Sequence, residues 1–509
     1  MTIHMKAAPA ATARSFRLTL ASLIAALALA ALDGNIVATA LPVIASDLGG
    51  LEHLSWVVTS FMLAQSATLL LYGKLSDMYG RRPLFLFAVA IFILGSALSG
   101  MAQSMFQLIL LRAVQGIGAA GIMTLSSATL ADLVSPRDRG RYQGFFTGTF
   151  ALCSIAGPLV GGGITSLFGW RWVFLVNLPL GLLVFGFLWW TLPRSAPRES
   201  HDIDYLGAGL IVASTVTGLL ALSWAGAELP WSSPTILALF TASGLALWAL
   251  IEREKRAGEP VLDLRLFRDG VFTTCSITNA LVAFPFFGSV VFLPLYLQLA
   301  RGFTPAQAGL IIVPQLGGLV LSSVLGGRTV SRTGHYRPLI VTGVVAIGSS
   351  LVAIGGAILA EAPLPFIMVG LATLGIGGGL AMPNLSVAVQ NAVPREQLGA
   401  ATSFNGFGNT LAAASGIATS GAILTGRVHA YIAAHATRDD AALLRHVGVT
   451  ETAGLAPTAR AVLIAAYSHA VATTFLTGGA LVVVAVVAAL CIPARELRND
   501  LPVPSPFSE

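Results

Sequence analysis

The sequence predicts an all-α polytopic membrane protein: fourteen transmembrane helices, forming two pseudo-symmetric six-helix halves with two further helices inserted between them. Three observations carry that prediction. Of 509 residues, 55% are hydrophobic and 10% charged, with a mean hydropathy of +0.81, whereas soluble domains carry roughly 25% charge. The apolar residues fall into runs long enough to cross a bilayer. Segments of the first half recur in the second at spacings of 254 to 259 residues.

At roughly 20 apolar residues per crossing, helices are expected near 17 to 43, 54 to 73, 84 to 102, 105 to 133, 142 to 165, 171 to 192, 205 to 225, 234 to 251, 271 to 298, 306 to 327, 338 to 360, 364 to 390, 398 to 425 and 466 to 491. These define an N-terminal tail (1–16), an N-terminal half (17–192), a two-helix insert with its loops (193–270), a C-terminal half (271–491) that includes an outer loop (426–465), and a C-terminal tail (492–509). The first run, LASLIAALALAALDGNIVATALP at 20 to 42, is apolar apart from Asp33. A signal peptide would also place Lys6, Arg14 and Arg17 before an apolar core and Ala38-Thr39-Ala40 near a cleavage site. Asp33 interrupts that core and further spans follow at once, which favours a membrane helix.

In a soluble chain a net charge of +6 and a pI near 9.5 would suggest nucleic acid. Here the basic residues sit in short gaps between apolar runs, so they report orientation and not a polyanionic partner. With the N-terminus inside, 22 of 29 Lys and Arg fall in inner segments. Six (Arg171, Arg301, Arg427, Arg438, Arg445 and Arg460) fall in outer loops, and Arg112 alone lies within a span. This asymmetry supports an even helix count with both termini cytoplasmic, in an inner or plasma membrane.

Other chemistry is disfavoured. Cys153, Cys275 and Cys491 have no ligand-like spacing, so neither a disulfide nor a metal site is expected. No G-x-x-x-x-G-K-[ST] is present, so ATP is not bound in the P-loop manner. No catalytic constellation lies at membrane depth, so an enzyme is not expected. His429, His435 and His446 in the outer loop are spaced by 6 and 11, which are not ligand spacings for one helix face. That loop reads as an Ala-rich helical hairpin over the outer mouth, a candidate contact for a periplasmic adaptor.

GKLSDMYGRRP at 73 to 83 is echoed by GRTVSRTGHYRP at 327 to 338, GIGAAGIM from Gly116 by GIGGGLAM from Gly375, and SPRDRG by VPREQLG. Matching offsets in one order are what two homologous halves give, and Gly-rich helices pack closely in lipid.

At these residues the chain resembles the major facilitator superfamily. GKLSDMYGRR is similar to that superfamily's signature between its second and third helices, and LRAVQGIGAA at 111 to 120 to its fourth-helix motif. GFFTGTFALCSIAGPLVGG at 144 to 162 resembles the fifth-helix motif of drug/proton antiporters, through Gly144, Gly157, Pro158, Gly161 and Gly162, with Cys153 where Gly is usual. LDGNIVATALP and WRWVFLVNLPLG resemble segments of the fourteen-helix EmrB/QacA-like exporters. The resemblance implies a major facilitator fold and a drug/proton antiporter driven by the proton gradient, with no cofactor.

In the stretch containing Gly73, Asp77, Gly80, Arg81 and Arg82, two glycines permit a tight turn and one acid sits among cations. The resemblance implies that Asp77 latches the halves at the cytoplasmic face, a charge and helix-end interaction that can be released. The second copy has Ser331 there. Gly157-Pro158 removes a backbone hydrogen bond and thins the helix, which suits a pivot or a seal, or a tolerated kink.

Asp33 and Arg112 are the two deep ionisable residues, each costing about 2.5 to 3.5 kcal/mol at the membrane centre, so each should face a cavity or the other. Asp33 lies about 14 residues (roughly 21 Å) from the outer end of its helix and Arg112 about 8 (roughly 12 Å), a gap of about 9 Å that leaves a direct pair unassured. Desolvation raises an Asp pKa and a nearby cation lowers it, so Asp33 moving between such environments can load and unload a proton while Arg112 tunes it. The alternative is a permanent pair that only ties helices together.

Candidates for the substrate pathway are Gln65, Gln115, Asn177, Asn279, Phe284, Phe287, Tyr296, Gln315, Asn384, Asn405 and Asn409, any of which could equally be a helix-packing contact. Some relatives that export divalent cations carry a further acid in late helices; spans ten and thirteen here hold none. The expected cargo is a lipophilic or amphipathic small molecule exchanged for protons. The rivals are export of an endogenous metabolite, lipid or siderophore, or a non-transporting receptor or scaffold.

Overall fold

The computed structural model describes residues 10–49, 53–193, 204–226, 229–256, 264–394, 397–436 and 456–497. Lys6, Arg194, Arg198, Arg395, Arg438, Arg445, Arg498 and His446 lie outside the described residues, as does the tip of the 426–465 loop.

The N-terminal half comprises α1 (Ala10–Leu48), α2 (Leu54–Tyr79), α3 (Arg81–Gly100), α4 (Met105–Leu133), α5 (Pro136–Phe168) and a sixth crossing made of α6 (Arg171–Leu175) and α7 (Asn177–Thr191). The insert is α8 (Tyr205–Trp224) and α9 (Pro234–Glu254). A 3-10 turn (Leu264–Arg268) leads into α10 (Gly270–Val290) and α11 (Leu293–Leu299), which together make one crossing. Then follow α12 (Pro305–Thr333), α13 (Arg337–Leu359), α14 (Leu364–Ala392), α15 (Leu398–His435) and, closing the bundle, a helix here termed α16 (Pro457–Leu490). Thirteen crossings are long and apolar enough to span a bilayer. The fourteenth is α15, whose Asn, Ser and Gly content makes it less apolar and which lines the central cavity described below.

Several boundaries differ from expectation. α1 begins at Ala10, inside the segment read as a tail, and α5 begins at Pro136, where Ser135 caps its first turn by accepting from Asp138 N–H. Residues 426–435 and 457–465 continue α15 and α16 outward, so the flanks of the outer loop are helix extensions and not a separate hairpin.

Each half has its own apolar core. That of the first half includes Leu27, Phe85, Phe92 and Leu125, and that of the second Val282, Ile347, Leu371 and Phe475. Large side chains such as Leu159, Trp190, Leu245 and Trp248 are exposed on the bundle's flanks, as expected of surface that meets lipid. The insert packs through Ile211 and Leu250 against Leu70 of α2 and, at its edge, Phe404 and Phe407 of α15. It therefore rests on one helix from each half.

The repeat is visible in the contacts. A Cβ on Gly116 would strike the Phe61 carbonyl of α2, and one on Gly375 would strike the Gln315 carbonyl of α12; the pairs are offset by 259 and 254 residues. Gly157 sits against Asn35 of α1 as Gly416 sits against Phe284 of α10, offset by 259 and 249.

Candidate functional site

Asp33 and Arg112 form a direct ion pair, Arg112 Nη1 to Asp33 Oδ2 at 2.7 Å, with side chains 0% and 1% exposed. The 9 Å gap expected from counting along the helices is not present. α1 runs for 39 residues and outreaches α4, so the helix ends do not share one level, and the Arg side chain covers the remainder. The other carboxylate oxygen accepts from Gln115 Nε2 at 2.8 Å and Asn177 Nδ2 at 2.7 Å. Arg112 also donates to Gln115 Oε1 at 2.7 Å and the Val57 carbonyl at 3.2 Å, and its guanidinium lies 4.2 Å from the Phe61 ring centroid. Asn177 opens α7 at the break after Val176 and also donates to Ser96 Oγ at 3.0 Å. Charge-assisted bonds this short hold the carboxylate on every side.

The offsets identify what the second half carries in the same places. Asp33, Arg112 and Gln115 correspond to Val282, Leu371 and Leu374, all fully buried. The same helix packing is thus satisfied by aliphatic side chains in one half and by an ion pair in the other.

At the end of the bundle that carries the basic loops, Asp77 caps α15 across the halves. Its oxygens accept from Gly399 N–H at 3.1 Å and Ala400 N–H at 2.9 Å, two of the orphan donors at that helix start. Arg81 pairs with Asp77 at 2.6 Å and with Asp132 of α4 at 2.9 Å. The glycines divide the work: Gly73 lies within α2 and touches Gly399 and Ser403, whereas Gly80, at φ 88°, makes the turn into α3. Arg82 lies outside the clasp, donating to the Trp189 carbonyl and stacking 5.1 Å from that ring's centroid.

A second clasp occupies the twofold-related seam. Gly327 touches Gly140 as Gly73 touches Gly399. Ser331 donates to Asp138 Oδ1 at 2.7 Å, and Arg137 grips the Ser331 and Arg332 carbonyls at 2.5 and 2.7 Å, at the C-terminal end of α12. Among the described residues, hydrogen bonds joining the two halves are confined to these clasps and the adjacent Ser323–Thr147 contact.

α5 changes partner along its length. Gly144 abuts Val324 of α12, while Gly157 and Gly161 abut Asn35 and Ile36 of α1, next to Asp33. Pro158 and Gly162 are exposed, and α5 stays helical through Pro158.

Between the clasps and the outer end lies a cavity of about 330 Å3. Its walls obey the repeat: Met123 and Ser127 correspond to Met382 and Ser386, and Gln143 to Thr402, each pair 259 apart and all lining the space. Of the predicted pathway residues, Asn279, Asn405 and Asn409 line it. Gln115 and Asn177 belong to the Asp33 network, and Gln65 donates to Met123 Sδ at 3.0 Å behind the wall. Phe284, Phe287, Tyr296, Gln315 and Asn384 are not among its lining residues; Tyr296 accepts from Arg301, and Asn384 donates to the Leu380 carbonyl. Sequence reading missed Asp132, Arg137, Asp138, Phe146 and Phe150. Its repeat offset, applied to Asn405 and Asn409, would have found the two phenylalanines.

The comparisons agree with this architecture. The family model described as Major Facilitator Superfamily matches residues 23–417. The chain is 33% identical over 410 residues to the multidrug transporter protein MdtP of Bacillus subtilis, covering 81% of this chain and 75% of that one. It is also 33% identical to multidrug resistance protein 3 of the same organism, over 81% and 80%. Among solved structures it resembles the human organic anion transporter MFSD10 at a TM-score of 0.64 and 18% identity, covering 95% of this chain and 100% of that one. With matches of that extent, this multi-pass membrane protein, a transporter and not an enzyme, belongs to the Major Facilitator Superfamily.

Proposed function

We propose that the chain is a proton-coupled exporter of lipophilic compounds that works by alternating access, in an inner or plasma membrane with both termini in the cytoplasm. The observation that carries this reading is the Asp33–Arg112–Gln115 network, set where the other half manages with Val282, Leu371 and Leu374. A buried ion pair is weak evidence for stability, because well-packed apolar residues often serve as well. Here the chain itself contains the apolar solution, so retention of the ion pair in one half points to a task other than packing.

The task that fits is exchange of a proton at the Asp33 carboxylate. A proton arriving from the outer side neutralises Asp33, and its pair with Arg112 breaks. Helix α1 then loses its strongest tie to α4. Because Gly157 and Gly161 hold α5 against α1 beside Asp33, and Gly140 and Gly144 hold α5 against α12, a shift of α1 is carried to the clasped seam. With the basic end taken as cytoplasmic, the clasped state is closed inside. Release of the Asp77 and Arg137 clasps opens the cavity inward, where the proton leaves and cargo binds. Multidrug and efflux names among the relatives support the direction of transport and the class of cargo.

The test is proton-driven extrusion of a lipophilic dye from vesicles by wild type and Asp33→Asn. Loss of gradient-driven extrusion in the variant is expected; equal rates would sink the coupling role of Asp33.

A further inference from the structure

We propose that the central cavity selects electrically neutral amphipaths, gripping them between the carboxamides of Asn405 and Asn409 and the rings of Phe146 and Phe150, so that each exchange carries net charge inward. The charge-movement half of this rests on the proton-coupled reading; the selection half does not.

The cavity is amphipathic by descent from the repeat. Asn405 and Asn409 on α15 correspond to Phe146 and Phe150 on α5, each pair 259 positions apart, and all four line the space. One wall therefore offers amide donors and acceptors where its twofold mate offers ring faces. Among the described residues, no Asp, Glu, Lys, Arg or His lines the cavity. Asp33 cannot act as counter-charge from behind the wall, because it is fully buried and both its oxygens are held by Arg112, Gln115 and Asn177. A permanent cation entering would lose its hydration without a compensating charge, and its attraction to ring faces is smaller than that loss.

The two polar groups of the molecule also differ in tightness. Around Asp33 the bonds are 2.7–2.8 Å. In the cavity, Asn279 reaches Asn405 at 3.2 Å, Asn409 reaches Asn279 at 3.5 Å and Asn405 reaches Ser386 at 3.4 Å. Bonds at the long edge of the range are weak and readily exchanged. The amide wall can therefore turn to meet hydrogen-bonding groups of different cargoes, while the Asp33 network stays fixed as long as its carboxylate is ionised. If a proton moves inward for each neutral molecule moved outward, charge is not compensated, and the cycle draws on membrane potential as well as the pH difference.

A matched pair of probes tests this on the full chain in lipid nanodiscs. Triphenylphosphine oxide is neutral with one strong acceptor; methyltriphenylphosphonium has nearly the same shape and a fixed positive charge. The oxide is expected to bind at least about tenfold more tightly, and Asn409→Leu to weaken it by a similar factor. Asn409→Asp, which puts a carboxylate on the wall, is expected to raise phosphonium binding about tenfold; this gain cannot arise from misfolding. Equal or tighter phosphonium binding by the wild type, or no gain in Asn409→Asp, overturns the neutral-cargo assignment. On solid-supported membranes, a pulse of the oxide should drive a current in wild type that Asp33→Asn abolishes. Preference for the oxide without any current would overturn charge movement and proton coupling together while leaving the cavity assignment standing.

Discussion

Replacing Asp33, Arg112 and Gln115 together by Val, Leu and Leu would copy into the first half what the second half already carries. The magnitude can be worked from the network. Arg112→Leu alone removes the 2.7 Å ion pair and leaves Asp33 with only the Gln115 and Asn177 amides, in a site 0% exposed. Stranding a buried charge costs about 3–5 kcal/mol, part of which protonation of the carboxylate recovers. The triple variant removes both charges and the amide that bridged them. Asn177 keeps Ser96 Oγ at 3.0 Å, and the lost contact of Arg112 with the Phe61 ring is replaced by a leucine in apolar surroundings. Its stability is expected within about 2 kcal/mol of wild type, or higher. Thermal unfolding in detergent, followed alongside gradient-driven extrusion from vesicles, reads both quantities. The expected outcome is an unstable single variant and a stable but inactive triple. A triple variant as unstable as Arg112→Leu would mean that the network is structural glue, and a triple variant that still extrudes against a gradient would remove Asp33 from coupling altogether.

Asp77→Ala deletes two charge-assisted bonds to the start of α15 and should weaken closure of the basic end by about 1.5–3 kcal/mol per bond lost; thiol labelling of a Ser127→Cys reporter, in a chain lacking its native cysteines, should become faster from the cytoplasmic side, and unchanged labelling would refute the latch. Gly327→Val places a side chain against the Gly140 carbonyl, so the second seam cannot close, and transport should fall more than tenfold with expression retained. Gly157→Val would wedge α5 off Asn35 and is expected to abolish extrusion without reducing probe binding in the cavity. At Asp269, burial pushes the carboxyl up, but the Arg495 guanidinium and the Phe272 and Val271 N–H groups outweigh it and hold the pKa below the usual carboxylate range. The stability it contributes is therefore present above the unfolded-state value of about 3.9 and lost as pH falls through the lower folded value; Asp269→Ala should flatten that acid limb of the unfolding curve.

Much of the architecture was legible because bilayer thickness imposes run lengths and the positive-inside bias marks alternate loops. Both signals are local and survive in a single sequence. α15 was expected from 398 to 425; the Asn, Ser and Gly content that keeps it out of the thirteen strongly apolar crossings also supplies Asn405 and Asn409 to the cavity wall. The glycine pairs in the two signature loops were readable as a repeat, but not which glycine turns the chain and which admits a partner, since the partners Gly399 and Gly140 lie 326 and 187 positions away. Arg82 was drawn into the latch by adjacency, although a helix start at Arg81 sends neighbouring side chains in different directions, here toward Trp189. The distance between Asp33 and Arg112 failed for a geometric reason, because counting from helix ends presumes that ends share a level. The backbone partners of the clasps, N–H donors for Asp77 and carbonyl acceptors for Arg137, were invisible because backbone groups have no letter in the sequence.

The asymmetry between the halves follows a division of labour. Both clasps cap a helix end across the interface, but with opposite sign: Asp77 meets the N–H groups that open α15, and Arg137 meets the carbonyls that close α12. The helix dipoles favour each in turn, so the two seams can be broken together without leaving one uncompensated charge facing the other half. They differ in what lies over them. Along α2 and α15 the insert adds a third body, with Ile211 and Leu250 packed on Leu70 and against Phe404 and Phe407, whereas α5 and α12 meet through Gly140, Gly144, Gly327 and Val324. Both seams bring glycine backbones together, but only the α2–α15 seam has the insert packed over it, so in the proposed cycle the α5–α12 seam has less side-chain surface to rearrange when the clasps release. The half that carries the ion pair also supplies α5, which touches both Asp33's neighbours and the α5–α12 seam. The half that lacks it is left free to place amides in the cavity, where a second buried charge would have restricted which cargo could enter.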